Sequence, residues 1–118
     1  MNFQKRVQNW LMACFSMEVC RDTTERCHRF TEEALELVQS LGMTADEAHQ
    51  LVDYVYGRPI GDTRQEIGGT LTTLAALCSC IDMEMDQCGE LELARVRKHI
   101  DKIRAKQAAK PKHSPLPV

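Results

Sequence analysis

Glu32, Glu33 and Glu36 stand together in the segment Glu32-Glu33-Ala34-Leu35-Glu36. On a helix that turns 100° per residue, Glu33 and Glu36 project to nearly the same side. Carboxylates so placed repel each other, at a cost of roughly 0.2 to 0.5 kcal/mol per pair, unless a cation sits between their oxygens. A further acid, Glu66, falls where a later helix is expected to begin, and the positive end of the helix dipole favours it there. If the two helices pack antiparallel, three carboxylates converge. A cation between those oxygens would relieve the repulsion.

Other reactive residue types point less far. Cys27-His28 and Cys78-x-Cys80 lack the paired C-x₂-C spacing of a zinc site. From Arg97 to Lys112 seven Lys or Arg residues are opposed only by Asp101, yet the chain as a whole carries a formal charge of −2. Coating nucleic acid needs a concentrated basic surface, so nucleic acid is not the expected partner, and a solvated helix and tail account for the stretch. The six cysteines occur without a secretory signal and in a chain large enough for a core, which points to free buried thiols and a reducing, cytoplasmic setting. No apolar run approaches the roughly 20 residues of a membrane helix.

The elements that must position these residues are helices. Aromatic and β-branched residues are scarce and no stretch alternates, so strands have little support. Val7, Trp10, Leu11, Cys14 and Phe15 share one face of a first helix. Asp22 or Thr23 starts a second, which carries Phe30, Ala34, Leu37, Val38 and Leu41 inward and closes at Gly42. Thr44-Ala45-Asp46-Glu47 has the pattern of a capping box and opens a third helix, from about Ala45 to Tyr56, that Gly57 and Pro59 end. Asp62-Thr63-Arg64-Gln65 is a second such box, opening a fourth helix through Leu71, Leu74, Ala75, Leu77 and Cys78. Within it Gly68 and Gly69 each cost roughly 1 kcal/mol relative to Ala, and they permit close approach of another helix or of a ligand. A fifth helix follows Gly89, with Leu93, Val96, Ile100 and Ile103 as its apolar stripe. No internal repeat is visible. The expectation is an all-α fold of four to five helices in an antiparallel bundle, a single helical domain over residues 1–107, and a disordered tail over 108–118.

Glu32-Glu33-Ala34-Leu35-Glu36, together with Glu66-Ile67-Gly68-Gly69 and the apolar run Thr70-Leu71-Thr72-Thr73-Leu74-Ala75-Ala76-Leu77, resembles the signature of a known family. It is that of the all-helical nucleoside triphosphate pyrophosphohydrolases of the MazG and phosphoribosyl-ATP pyrophosphohydrolase type, E-E-x-x-E on one helix and E-x-x-D on a later one. The likeness covers about Thr24 to Leu77. It departs at Gly69, where the family carries its last acid, so three of the four carboxylates are present. Asp62, or Asp53 with His49, could supply the missing ligand.

The resemblance implies Mg²⁺-dependent hydrolysis of a nucleoside triphosphate, with Mn²⁺ a possible substitute, releasing pyrophosphate and a nucleoside monophosphate. On that reading Glu33, Glu36 and Glu66 are the metal ligands and Glu32 and Glu36 the catalytic carboxylates, Glu32 as base or as partner of a ligand. Arg29, Lys98 and Lys102 meet phosphate oxygens as charge-assisted donors. Members of the family associate through helix faces, which implies a homodimer or homotetramer. The competing reading is a catalytically silent helical module that binds a nucleotide or a protein partner.

Overall fold

The computed structural model describes residues 2–109. Among the described residues every regular element is a helix: α1 (Phe3–Cys14), α2 (Met17–Cys20), α3 (Thr23–Ser40), α4 (Ala45–Tyr56), α5 (Thr63–Cys80), α6 (Met85–Arg97) and α7 (Ile100–Ala108). None of them is long and apolar enough to cross a membrane. The chain gathers into two compact units, one of Met1–Met43 with Leu93–Val118 and one of Thr44–Glu92.

Short polar side chains start the helices of the first unit. Asn2 accepts the Lys5 amide at 2.8 Å, Ser16 the Val19 amide at 3.2 Å and Asp22 the Glu25 amide at 3.1 Å, each satisfying a backbone donor that the first turn leaves without a partner. The interior of this unit is small. Leu11, Cys14, Cys20 and Leu93 are buried, the Cys20 thiol lies 3.5 Å from the Leu11 carbonyl, and Trp10 meets Phe15 edge to face. Arg104 of α7 donates to the carbonyls of Ala13 and Cys14, so a cation from the far end of the chain completes the C-terminus of α1.

In the second unit Thr44 and Glu47 form the complete reciprocal box, with amide-to-side-chain distances of 3.2 and 3.1 Å. At α5 the structure records the Asp62 half of the expected box, its carboxylate accepting the Gln65 amide at 3.0 Å.

Several expectations change. The fifth helix starts at Met85, before Cys88 and Gly89, and breaks at Lys98–His99, where two amides bond three residues back and His99 leaves helical geometry. α2 is a single helical turn that a four-residue sequence pattern cannot announce. α7 carries the chain helically through Ala108, and the rest of the expected tail, residues 110–118, lies outside the described residues. All six cysteines are free, but only Cys14 and Cys20 are buried. Phe30, Ala34 and Leu41, expected to face inward on α3, are exposed, and Leu37 and Val38 are half-buried.

A repeat that the residues do not advertise is present in the helix geometry. α3 and α5 have the same length, 18 residues, and are capped by Asp22 and Asp62, forty positions apart. Both end in a Schellman turn: Met43 bonds back to Val38 and Gly42 to Gln39, and Met83 bonds back to Cys78 and Asp82 to Ser79. The left-handed position is taken by Gly42 at φ 93° in the first turn and by Asp82 at φ 56° in the second. Asp tolerates this region better than most residues, and the missing glycine helps hide the correspondence.

Candidate functional site

Glu32, Glu33 and Glu36 all lie on α3, in the first unit. Glu33 and Glu36 are exposed and one turn apart, while Glu32 is half-buried. Arg29, one turn earlier, reaches two carboxylates, Glu25 at 3.2 Å and Glu32 at 3.6 Å, with its side chain 15% exposed. The structure therefore brings Arg29 and Glu32 together as an ion pair one turn apart on the helix. Lys98 and Lys102 belong to the same unit, Lys98 in the turn that follows α6 and Lys102 on α7, and both are exposed.

Glu66 belongs to the second unit, in the first turn of α5 as expected. Its carboxylate lies against Gly61, where an added Cβ would come within 3.1 Å of Oε1. Gly61 thus leaves room for the acid to fold back over the start of its own helix. Of the residues considered for the missing fourth ligand, Asp62 is engaged in capping α5, and His49 and Asp53 are exposed on α4. A Cβ at Gly69, the position of the family's last acid, would meet nothing within 4 Å.

The donor chemistry of α3 suits a hard cation: exposed carboxylates one turn apart offer oxygen and nothing softer. Among the described residues, however, no three His, Cys, Asp or Glu side chains gather closely enough to hold a metal ion.

One acid has a clear structural setting that the sequence reading passed over. Glu25 is 5% exposed, its Oε1 accepts the Gln107 side-chain amide at 2.6 Å, and it forms ion pairs with Arg29 Nε at 3.2 Å and Arg26 at 3.9 Å. A buried carboxylate ties α3 to α7 in this way. The Glu25–Arg29 spacing of four residues is a signal the sequence carries, whereas Gln107, 82 residues away, is not foreseeable from it. Beside this cluster a cavity of about 420 Å³ is lined by Phe15, Glu18, Asp22, Glu25, Arg104 and Gln107 among others. Arg26 completes the surroundings, its guanidinium 5.7 Å from the centre of the Phe15 ring.

Comparison with known protein families, with characterised proteins and with solved structures finds no match to this chain.

Proposed function

We propose that the chain is a Mg²⁺-dependent nucleoside triphosphate pyrophosphohydrolase. Water adds to the α-phosphorus, the bond from that phosphorus to the oxygen bridging the α and β phosphates breaks, and a nucleoside monophosphate and pyrophosphate leave. The observation that carries the reading is the acid cluster of α3. α5 reaches the same length with the same kind of cap and the same terminal turn while carrying Thr72, Thr73 and Ala76 at the positions of Glu32, Glu33 and Glu36. Glu33 and Glu36, exposed and one turn apart, present the oxygen donors that a hard cation takes.

Glu33 and Glu36, with Glu66, would hold the ion, which when bound neutralises phosphate charge and makes the attacking water more acidic. Glu32 accepts the proton of that water. Arg29, already engaged by two carboxylates, acts in this reading by orienting Glu32. The exposed Lys98 and Lys102 are the donors available to phosphate oxygens. The active form in this reading is a homodimer or homotetramer.

Gly69 favours one alternative, a helical module that binds a nucleotide or a protein partner without turnover, because the last acid of the resembled signature is missing there. Pyrophosphate release in the presence of Mg²⁺ separates the two. Turnover lost in Glu36→Gln establishes the hydrolase, and nucleotide binding without turnover establishes the silent module.

A further inference from the structure

Glu25 stands at the third position of α3, where a glutamate commonly folds back onto the amide of the capping residue, as Glu47 does at Thr44. At α3 that amide is already taken: Asp22 donates to the Val19 carbonyl of α2 at 3.3 Å. The Glu25 carboxylate is thereby released from capping and turns to Arg29 and Gln107.

Arg29 meets its two carboxylates with different edges of the guanidinium. Nε lies 3.2 Å from Glu25 Oε1, and Nη1 lies 3.6 Å from Glu32 Oε2. The contacts use separate donors, so they do not compete, and a planar group fixed at one edge presents the other in a set direction. Burial grades along the row, with the side chains of Glu25, Arg29 and Glu32 7%, 15% and 30% exposed. The ion pair at the buried end is the less screened and the better anchor. These residues and Gln107 all belong to the first unit, so the arrangement is internal to it.

We infer that Glu25 is a positioning residue for the acid cluster. It fixes Arg29, and Arg29 in turn fixes Glu32, the carboxylate assigned to accept the proton of the attacking water. The catalytic consequence rests on the hydrolase reading, to which Glu25 and, through Gln107, α7 are added. Glu25 touches no reacting group in this scheme. A general base contributes roughly 10² to 10⁴ in rate, and the part that depends on its aim is lost when Arg29 swings free.

The full-length chain tests this by side-chain ¹⁵N and ¹³C relaxation, with the Arg29 Nε and Glu32 Cγ signals assigned from Arg29→Lys and Glu32→Gln. In the natural chain Arg29 Nε should show an order parameter of about 0.8. Glu25→Gln keeps the volume and an acceptor for Gln107 but loses the charge that holds Arg29. In that variant Arg29 Nε should fall below about 0.6, and Glu32 Cγ should loosen with it. Arg29→Lys, which keeps the charge without the second edge, should loosen Glu32 as well. Glu25→Asp, with charge but shorter reach, gives the pattern of Glu25→Gln and serves where the glutamine variant fails to fold. On a nucleotide that the natural chain hydrolyses, Glu25→Gln should lower kcat per folded molecule at least tenfold and leave KM within about twofold. Leu11→Ala, which weakens the same unit from its buried interior, should leave both unchanged per folded molecule. An Arg29 Nε that stays ordered in both Glu25 variants, a Glu32 indifferent to Glu25 and Arg29, or an unchanged kcat in Glu25→Gln would overturn the inference. Absence of turnover in the natural chain refutes the hydrolase reading instead, and relaxation still decides whether Glu25 fixes Arg29 and Glu32.

Discussion

Replacing Glu25 should unfasten α7 from α3. Its Oε1 accepts the Gln107 side-chain amide at 2.6 Å and lies in an ion pair with Arg29 Nε at 3.2 Å, in a residue 5% exposed. Hydrogen bonds to charged groups contribute roughly 1.5 to 3 kcal/mol each, and breaking a buried ion pair from one side costs about 3 to 5 kcal/mol. Arg29 keeps Glu32 at 3.6 Å, which softens the loss. Glu25→Ala is therefore expected to destabilise by about 3 kcal/mol, near the low end of that range. Glu25→Gln, which keeps the volume and can still accept from Gln107, should cost about 2 kcal/mol.

Urea denaturation followed by circular dichroism, at one fixed protein concentration, reads both values. With a slope of about 1.5 kcal/mol per molar urea, the alanine variant's midpoint falls by about 2 M. A double-mutant cycle with Gln107→Ala should return a coupling of about 1 to 2 kcal/mol, because the two side chains are in direct contact. A loss under about 0.5 kcal/mol for Glu25→Ala, the size of an ordinary surface change, or no coupling to Gln107, would refute the role assigned to this carboxylate.

Two further outcomes follow from the local chemistry. Burial pushes the Cys14 thiol above its ordinary range, Arg104 opposes this and the neighbouring Cys20 adds to it, so alkylation at pH 8 followed by peptide mass spectrometry should label exposed Cys27, Cys80 and Cys88 well before Cys14. Equal labelling rates would contradict the burial. The Thr44 backbone amide, and after it the Thr44 hydroxyl, hold the Glu47 carboxyl below the usual carboxylate range. A lowered value means that its contribution is present above the ordinary carboxylate pKa and is lost as pH falls through the folded-state value. Glu47→Gln should accordingly flatten the acid limb of the stability curve, and an unchanged acid limb would contradict it.

The parts of the fold that could be read from residues are those fixed within a few positions. Asp22, Thr44 and Asp62 each announce a helix start because a short oxygen-bearing side chain reaches an amide three residues on, and all three do so. Gly42 announces a helix end for the same local reason. The second Schellman turn stays hidden because Asp82 stands where glycine is the usual signal, and with it the forty-residue repeat. Contacts between distant segments leave no periodic trace. Arg104 on the end of α1 and Gln107 on Glu25 join residues more than eighty positions apart.

The apolar stripes were legible but not what covers them. Leu11, Cys14 and Leu93 are buried as their spacing predicts, whereas Phe30 and Leu71 obey the same spacing and remain exposed within one copy. Of the candidate site, the placement of Glu32, Glu33 and Glu36 on one helix and of Glu66 at the start of another follows directly from the pattern. The engagement of Arg29 by Glu25 and Glu32 depends on side-chain reach, which spacing alone leaves open.

The most direct test of the central proposal is pyrophosphate release from a panel of canonical and modified nucleoside triphosphates, with Mg²⁺ or Mn²⁺, comparing the natural chain with Glu36→Gln. The proposal predicts metal-dependent release of pyrophosphate and nucleoside monophosphate from at least one nucleotide, reduced by a factor of about 10² or more in the variant, as for removal of a group that acts in the transition state. No release from any nucleotide, together with a thermal stability that Mg²⁺ leaves unchanged, would contradict it.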